Sequence, residues 1–364
     1  MIVKNEEYFL GTCLESVKDL IEEIIIVDTG STDKTKEICN EYGAIIYDFL
    51  WSESFSEARN FGINKATKEW ILYLDADEKI NIKNIEELKS LLEVNSKNLY
   101  LVPIINYYGE STPDINSSYL FTSHRLFRNN KNFKFTGNIH EHLDKNNLDE
   151  KDLSEIEIIR CIEIHHYGYM DSVVKDKKKN ERNLRLLKKE TELSNYDPWI
   201  DYHIASEYYR MNEYEKAFEK VNYSILRFLK KQQLPPSLLY KLKYEILILL
   251  KSYKSAKTGI DKAIQLYPDY VDLHFYKGII LFQESLFDEA IISFKHCLEL
   301  GEVNIQYLIL SGSGSYAAWY FIGCCYEKLN NYQKAILAYK ESLNIYPNYT
   351  EAKKKLSKIS KYYF

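Results

Sequence analysis

Apolar positions follow two different rhythms along this chain. Up to about residue 170, short apolar runs alternate with amphipathic stretches. Residues 1–3, 24–27, 45–47 and 71–74 are runs of the kind that form buried strands. Between them, residues 8–21 put Phe9, Leu10, Cys13, Leu14 and Val17 on one helical stripe. The segment "STDKTKEICNEYG" offers Ser31 or Thr32 as a helix cap and Gly43 as a stop. "SESFSEARNFGINKA" continues as a helix. Strands and helices in alternation predict an α/β domain, a mostly parallel sheet covered on both faces. The first strand has almost no residues before Ile2, so it either starts further upstream or is short.

From about Asp171 the pattern is helical throughout and repeats itself. The clearest unit is "WYFIGCCYEKLNNYQKAILAYKESLNIYP", with Gly323, Ala335, Tyr339 and Pro347 at marked positions. A second has Gly278, Ala290 and Phe294, with the same twelve-residue step from Gly to Ala. A third has Ala256, Ala263 and Pro268, and a weaker first copy Ala205, Tyr208 and Ala217. Small residues let the two helices of a hairpin approach, and large aromatics fill the gaps. The pattern resembles the tetratricopeptide repeat. Marker alanines at 217, 256, 290 and 335 are spaced by 39, 34 and 45, so two copies carry insertions, with "LSGSGS" the loop in the longest step. The predicted organisation is an α/β domain over 1–170, a linker helix over 171–195 and an all-α tetratricopeptide-repeat domain over 196–364.

Composition narrows the picture. With 45% hydrophobic residues, each domain can build a core. A net charge of -5 and no long basic block argue against a nucleic-acid partner. No apolar stretch is long enough to span a bilayer, and none opens the chain as a signal peptide. The six cysteines form no C-x-x-C pair and read as reduced core thiols of a cytoplasmic protein.

Chemistry concentrates at "LDADE". Asp75 and Asp77, one residue apart after a buried strand, can both reach one hard divalent ion. Mg²⁺ or Mn²⁺ takes oxygen ligands and accepts one or two carboxylates plus phosphate oxygens. In order along the chain stand "MIVKNEE", "IIIVDTGSTDKT" and "SFSEARNFGINKATKEWILYLDADE". Together they resemble the family-two glycosyltransferases of GT-A fold, strongly over the first 80 residues and more loosely to about 170. The resemblance implies binding of a nucleoside-diphosphate sugar, UDP-linked. It assigns Asn5, Glu6 and Asp28 to the base and ribose, and Arg59 and Asn60 to the nucleotide. It assigns Asp75 to the ribose or donor sugar, and Asp77 to a metal bridging the diphosphate. Thr29 stands where many members have a second Asp, which leaves Asp28 as the one carboxylate there.

"HRLFRNNKNFKFTGNIHEHLD" resembles the R-x-F-R…H-E segment of bacterial members. Arg125 and Arg128 are placed with the donor. An inverting transferase needs a base for the acceptor proton; Glu141 is the candidate, with His140 as orienter or substitute. In "EIHHYGY", adjacent residues of a strand face opposite ways, so one histidine at most reaches the metal. His166 matches the late metal-binding histidine of other GT-A enzymes.

A GT-A domain followed by repeats resembles the sublancin-type peptide S-glycosyltransferases. That implies an acceptor cysteine, serine or threonine on a peptide or protein, and a homodimer through the repeats. Two other classes compete: a transferase building surface polysaccharide or lipid-linked glycan, and a repeat scaffold with a relict GT-A domain. The intact Asp75, Asp77 and Glu141 speak against the scaffold.

Overall fold

A computed structural model describes residues 1–93, 97–109, 112–144, 156–170, 177–192 and 195–363. The chain divides into two compact units. One comprises Met1–Ser117 and Phe121–Lys189, the other Ser118–Leu120 and Glu190–Phe364. Within the stretch expected as a linker, 171–176 and 193–194 lie outside the described residues, and the helix Lys177–Glu190 counts through Lys189 with the first unit.

The first unit opens with three parallel strands, β1 (Ile2–Val3), β2 (Ile25–Asp28) and β3 (Ile45–Asp48), in that order. Helices α1 (Leu10–Val17), α2 (Thr35–Glu41) and α3 (Phe55–Ile63) connect or follow them. The apolar stripe of α1 is buried at Leu10, Cys13, Leu14 and Val17, as its spacing requires. Helix α3 starts where the Ser54 side chain accepts from the Glu57 N–H. The cap expected for α2 differs. The helix begins three to four residues later than Ser31 or Thr32, and Asp33 Oδ1 accepts from the Thr35 N–H at 3.0 Å. Ser31 and Thr32 bond Asn5 instead. Gly43, at φ 67°, closes the helix as expected.

A second sheet contains β4 (Trp70–Leu72), β5 (Glu78–Ile82), β6 (Leu99–Gly109), β7 (Ser118–Arg128), β10 (Glu157–Ile158) and β11 (Ile162–Met170). Its order is β7-β6-β11-β5, with β4 on β7 and β10 on β6. The short pair β8 (Lys134–Thr136) and β9 (His142–Asp144) stands apart, and α4 (Ile85–Glu93) follows β5. This sheet is mixed: β11 runs parallel to β6 but antiparallel to β5, and β4 antiparallel to β7. Only the five residues 73–77 separate β4 from β5, with the Glu78 N–H on the Asp75 carbonyl. No crossover helix is present there to enforce a parallel return.

The second unit consists of helical hairpins. Pro198–Arg210 packs with Tyr214–Lys230, Ser237–Leu249 with Tyr253–Leu266, Val271–Gln283 with Phe287–Leu300, and Tyr316–Lys328 with Tyr332–Ile345; Thr350–Tyr363 follows. The marker residues Ala217, Ala256, Ala290 and Ala335 are fully buried. A Cβ on Gly278 would lie 2.5 Å from the Phe294 ring, and one on Gly323 2.5 Å from the Tyr339 ring. Glycine and aromatic are thus one packing unit, used twice. The insertion after Leu300 is anchored rather than loose. Its strand β12 (Ile309–Leu310) pairs with Tyr119 and Leu120, Asp272 accepts from the Leu310 N–H and the Ser313 hydroxyl, and Lys241 neutralises Asp272 at 2.9 Å. Glu302 Oε1 accepts from Gly312 N, Gly314 N and the Ser315 hydroxyl. All six cysteines are free and buried, Cys13, Cys39 and Cys161 in the first unit and Cys297, Cys324 and Cys325 in the second. Among the described residues no helix is long and apolar enough to cross a membrane.

Candidate active site

Asp75 and Asp77 of "LDADE" lie between β4 and β5 and Glu78 opens β5, and each carboxylate has a different environment. Asp77 Oδ2 lies 3.4 Å from His166 Nε2. Asp75 Oδ1 accepts from Arg59 at 2.7 Å, and its Oδ2 is 3.9 Å from Arg125. Against the opposing effect of burial, these two guanidinium groups hold the Asp75 carboxyl well below the usual range. Glu78 is buried and takes Arg125 at two points, 2.7 and 3.0 Å, while its Oε2 also accepts the Asp75 N–H at 2.9 Å. Burial pushes the Glu78 carboxyl up, and the two-point guanidinium contact opposes that shift.

Arg59, on α3, is the connecting group. It donates through Nε to Glu141 Oε1 and through Nη2 to Asp75 Oδ1. Its guanidinium stacks over Tyr73 at 4.9 Å and over Phe135 at 5.5 Å; Arg125 stacks over the same Tyr73 ring at 4.5 Å. Glu141 follows a backbone reversal in which Gly137 has φ 95° and His140 φ 52°. Its Oε2 has no partner among the described residues.

His165 and His166 face opposite ways, as neighbours on a strand must. His165 Nδ1 is 2.8 Å from the Tyr107 hydroxyl and its Nε2 3.1 Å from Glu163. His166 reaches Asp77 instead, and its Nδ1 contacts Asn106 Oδ1 at 2.7 Å. Burial disfavours protonation of His166, but the hydrogen bond and charge of Asp77 outweigh it and raise its pKa. Nε2 and Oδ2 face each other across 3.4 Å, two ligand atoms that a divalent cation could use together. Among the described residues no three His, Cys, Asp or Glu side chains converge on one point. Asp77 and His166 would therefore supply two ligands, which fits Mg²⁺ or Mn²⁺ held jointly with substrate phosphate oxygens.

The other residues singled out in the sequence lie elsewhere. Asn5, at φ 56°, accepts from Thr32 N at 2.8 Å and donates its own N–H to Ser31. The Glu6 N–H is bound by the Thr35 hydroxyl at 2.8 Å. Asp28 is buried at the end of β2; despite that burial, Ser31, Gly30 and Lys36 lower its pKa. These three form one cluster over the first sheet. Asn60 binds the Phe135 backbone with both ends of its amide, at 2.9 and 2.8 Å, which ties α3 to β8. Arg128 pairs with Glu69, donates to the Lys97 carbonyl and stacks over Trp70. The structure thus gathers Arg59, Asp75, Asp77, Arg125, Glu141 and His166, and leaves Asn60 and Arg128 in separate contacts. Sequence reading missed Glu78, Tyr73, Asn106 and Gly168. Glu78 was in view as the last acid of "LDADE"; only its two-point contact with Arg125 sets it apart.

Comparison with known proteins fits this layout. Residues 1–148 match the model of Glycosyl transferase family 2, and residues 316–349 that of a tetratricopeptide repeat. A TPR repeat-containing protein of Synechococcus elongatus is 31% identical over 265 residues, covering 72% of this chain and 63% of that protein. The SPbeta prophage-derived glycosyltransferase SunS of Bacillus subtilis is 29% identical over 290 residues, covering 77% and 65%. The chain thus spans less than two thirds of the length of these curated relatives. Among solved structures, YrrB, described as a TPR protein with an unusual peptide-binding site, covers 50% of this chain at 20% identity and a TM-score of 0.40. The chain therefore carries a Glycosyl transferase family 2 domain at its amino-terminal end and a tetratricopeptide repeat towards its carboxyl-terminal end.

Proposed function

We propose that this chain is an inverting, metal-dependent glycosyltransferase that moves a hexose from a UDP-sugar to a side chain of a peptide or protein. The observation that carries the reading is the grouping of an Asp77–His166 ligand pair with a carboxylate, Glu141, which among the described residues is anchored through Oε1 alone. In this reading the acceptor oxygen or sulfur bonds to the anomeric carbon while the carbon–oxygen bond to the diphosphate breaks on the opposite face. Glu141 Oε2 takes the acceptor proton. Asp77 and His166 would hold a divalent cation, which when bound would offset charge on the departing diphosphate. Arg59 fixes Glu141, and Asp75 fixes Arg59. The Asn5–Glu6–Asp28 cluster receives the nucleoside, and the stacked repeats present the acceptor. The likeness to the glycosyltransferase SunS supports the activity.

Calorimetry of UDP binding with and without Mn²⁺ tests this reading on the whole chain. Binding that strengthens with Mn²⁺, and loses that gain in Asp77→Asn, is expected. Metal-independent binding, or none, would sink the metal-dependent assignment. Transfer of hexose to a cysteine-, serine- or threonine-containing peptide then tests the acceptor.

A further inference from the structure

Two residues outside the Asp77–His166 pair hold it in its present geometry. Asn106 stands directly across the ladder from His166, as its register partner in the parallel pairing of β11 with β6. Its Oδ1 lies 2.7 Å from His166 Nδ1. With Oδ1 as acceptor, the hydrogen of a neutral ring sits on Nδ1, which leaves the Nε2 lone pair facing Asp77. Asn106 is itself buried, where an amide oxygen needs a donor.

On the other side, β11 bulges. Its pairing with β6 passes from His166↔Asn106 to Tyr169↔Tyr108, so β11 has one residue more than its partner over this interval. Gly168 lies in the bulge. A Cβ there would overlap Asp77 Oδ2 and lie 2.6 Å from His166 Nε2. The same irregularity lets the Tyr167 N–H bind the Asp77 carbonyl at 3.0 Å, which joins the bulge to the acidic turn.

We infer that Asn106 and Gly168 are positioning residues for a divalent cation: Asn106 selects the imidazole nitrogen that faces it, and Gly168 keeps side-chain atoms out of its position. This rests on the metal-dependent reading above. Outer partners of this kind change metal affinity by about 10–100-fold when removed.

The test is Mn²⁺ binding, by calorimetry and by the paramagnetic resonance of free Mn²⁺, in the presence of UDP. Affinity is expected to fall about 10–100-fold in Asn106→Leu, to stay at or above the original in Asn106→Asp, which keeps the acceptor, and to be lost in Gly168→Ala. UDP affinity without metal should be the same in all. Should Asn106→Leu not fold, the contrast between Asn106→Asp and Gly168→Ala decides. Unchanged Mn²⁺ affinity in folded Gly168→Ala, or equal losses in Asn106→Leu and Asn106→Asp, would overturn the inference while leaving the metal reading intact. Absence of Mn²⁺ binding in the unaltered chain would overturn both.

Discussion

Arg59 donates to Glu141 across 82 positions of sequence, from the same guanidinium that holds Asp75. A residue expected to touch the nucleotide thus joins the acidic turn to the loop that carries Glu141. The arrangement needs a planar, forked cation, because two carboxylates are bound through two different nitrogens.

Arg59→Met should therefore lower kcat for transfer about 100-fold, the scale of a small misplacement of a reacting group. Metal-free UDP affinity should change little. Arg59→Lys, a point charge that cannot span both acids, should recover only part of the rate. Steady-state kinetics alongside UDP calorimetry separates the possibilities. A loss confined to UDP binding would return Arg59 to the nucleotide.

Glu78 and Arg125 form a buried pair, and removing one partner leaves the other charge without its counterion. Either Glu78→Leu or Arg125→Met should destabilise the first unit by roughly 3–5 kcal/mol, and the double variant by less than the two effects together. Urea unfolding followed by a signal from the first unit reads this. Additive losses would mean the pair contributes nothing as a pair.

Burial raises the Glu302 pKa even though Ser315, Gly314 and Gly312 donate to it. A folded pKa above the unfolded value gives stability that is complete below the unfolded pKa, about 4.3, and is lost as pH rises through the folded value. Glu302→Gln keeps the acceptor oxygen and removes the charge. It should melt higher than the unaltered chain at about pH 7, and the gap should close towards about pH 4. A constant gap across that range would place the effect outside titration.

Gly278→Ala and Gly323→Ala each drive a methyl group into an aromatic ring. Each should cost the second unit roughly 1–3 kcal/mol by overpacking. Pairing Gly278→Ala with Phe294→Leu should restore part of the loss, because the smaller side chain yields the space. Thermal melts of the single and double variants measure the coupling, and strict additivity would mean the two positions do not share a packing site.

The fold was readable where one physical effect dominates. Apolar runs gave β2, β3 and β4, although only β2 is buried along most of its length, and the Gly-to-Ala step of twelve gave the repeats because helix packing fixes it. The start of α2 was misplaced because Ser31, Thr32 and Asp33 are all competent caps, and Asn5, distant in sequence, claims the first two. At the candidate site, Asp77 and His166 could be named through the family resemblance, with strand parity admitting one of the two neighbouring histidines. Glu78, Asn106 and Gly168 could not, because what distinguishes them is a two-point contact, a cross-strand register and a one-residue bulge. Such features depend on pairing between distant segments and leave no local mark in sequence.

The six buried thiols give the molecule an internal clock. Three belong to each unit, and none is exposed. A thiol reagent can reach them only when the surrounding structure opens, so labelling rates report opening rather than surface reactivity. Labelling at Cys13, Cys39 and Cys161 times the first unit, and labelling at Cys297, Cys324 and Cys325 times the second. Mass spectrometry of a single time course would show whether the two units open together or in turn, with no probe added to the chain.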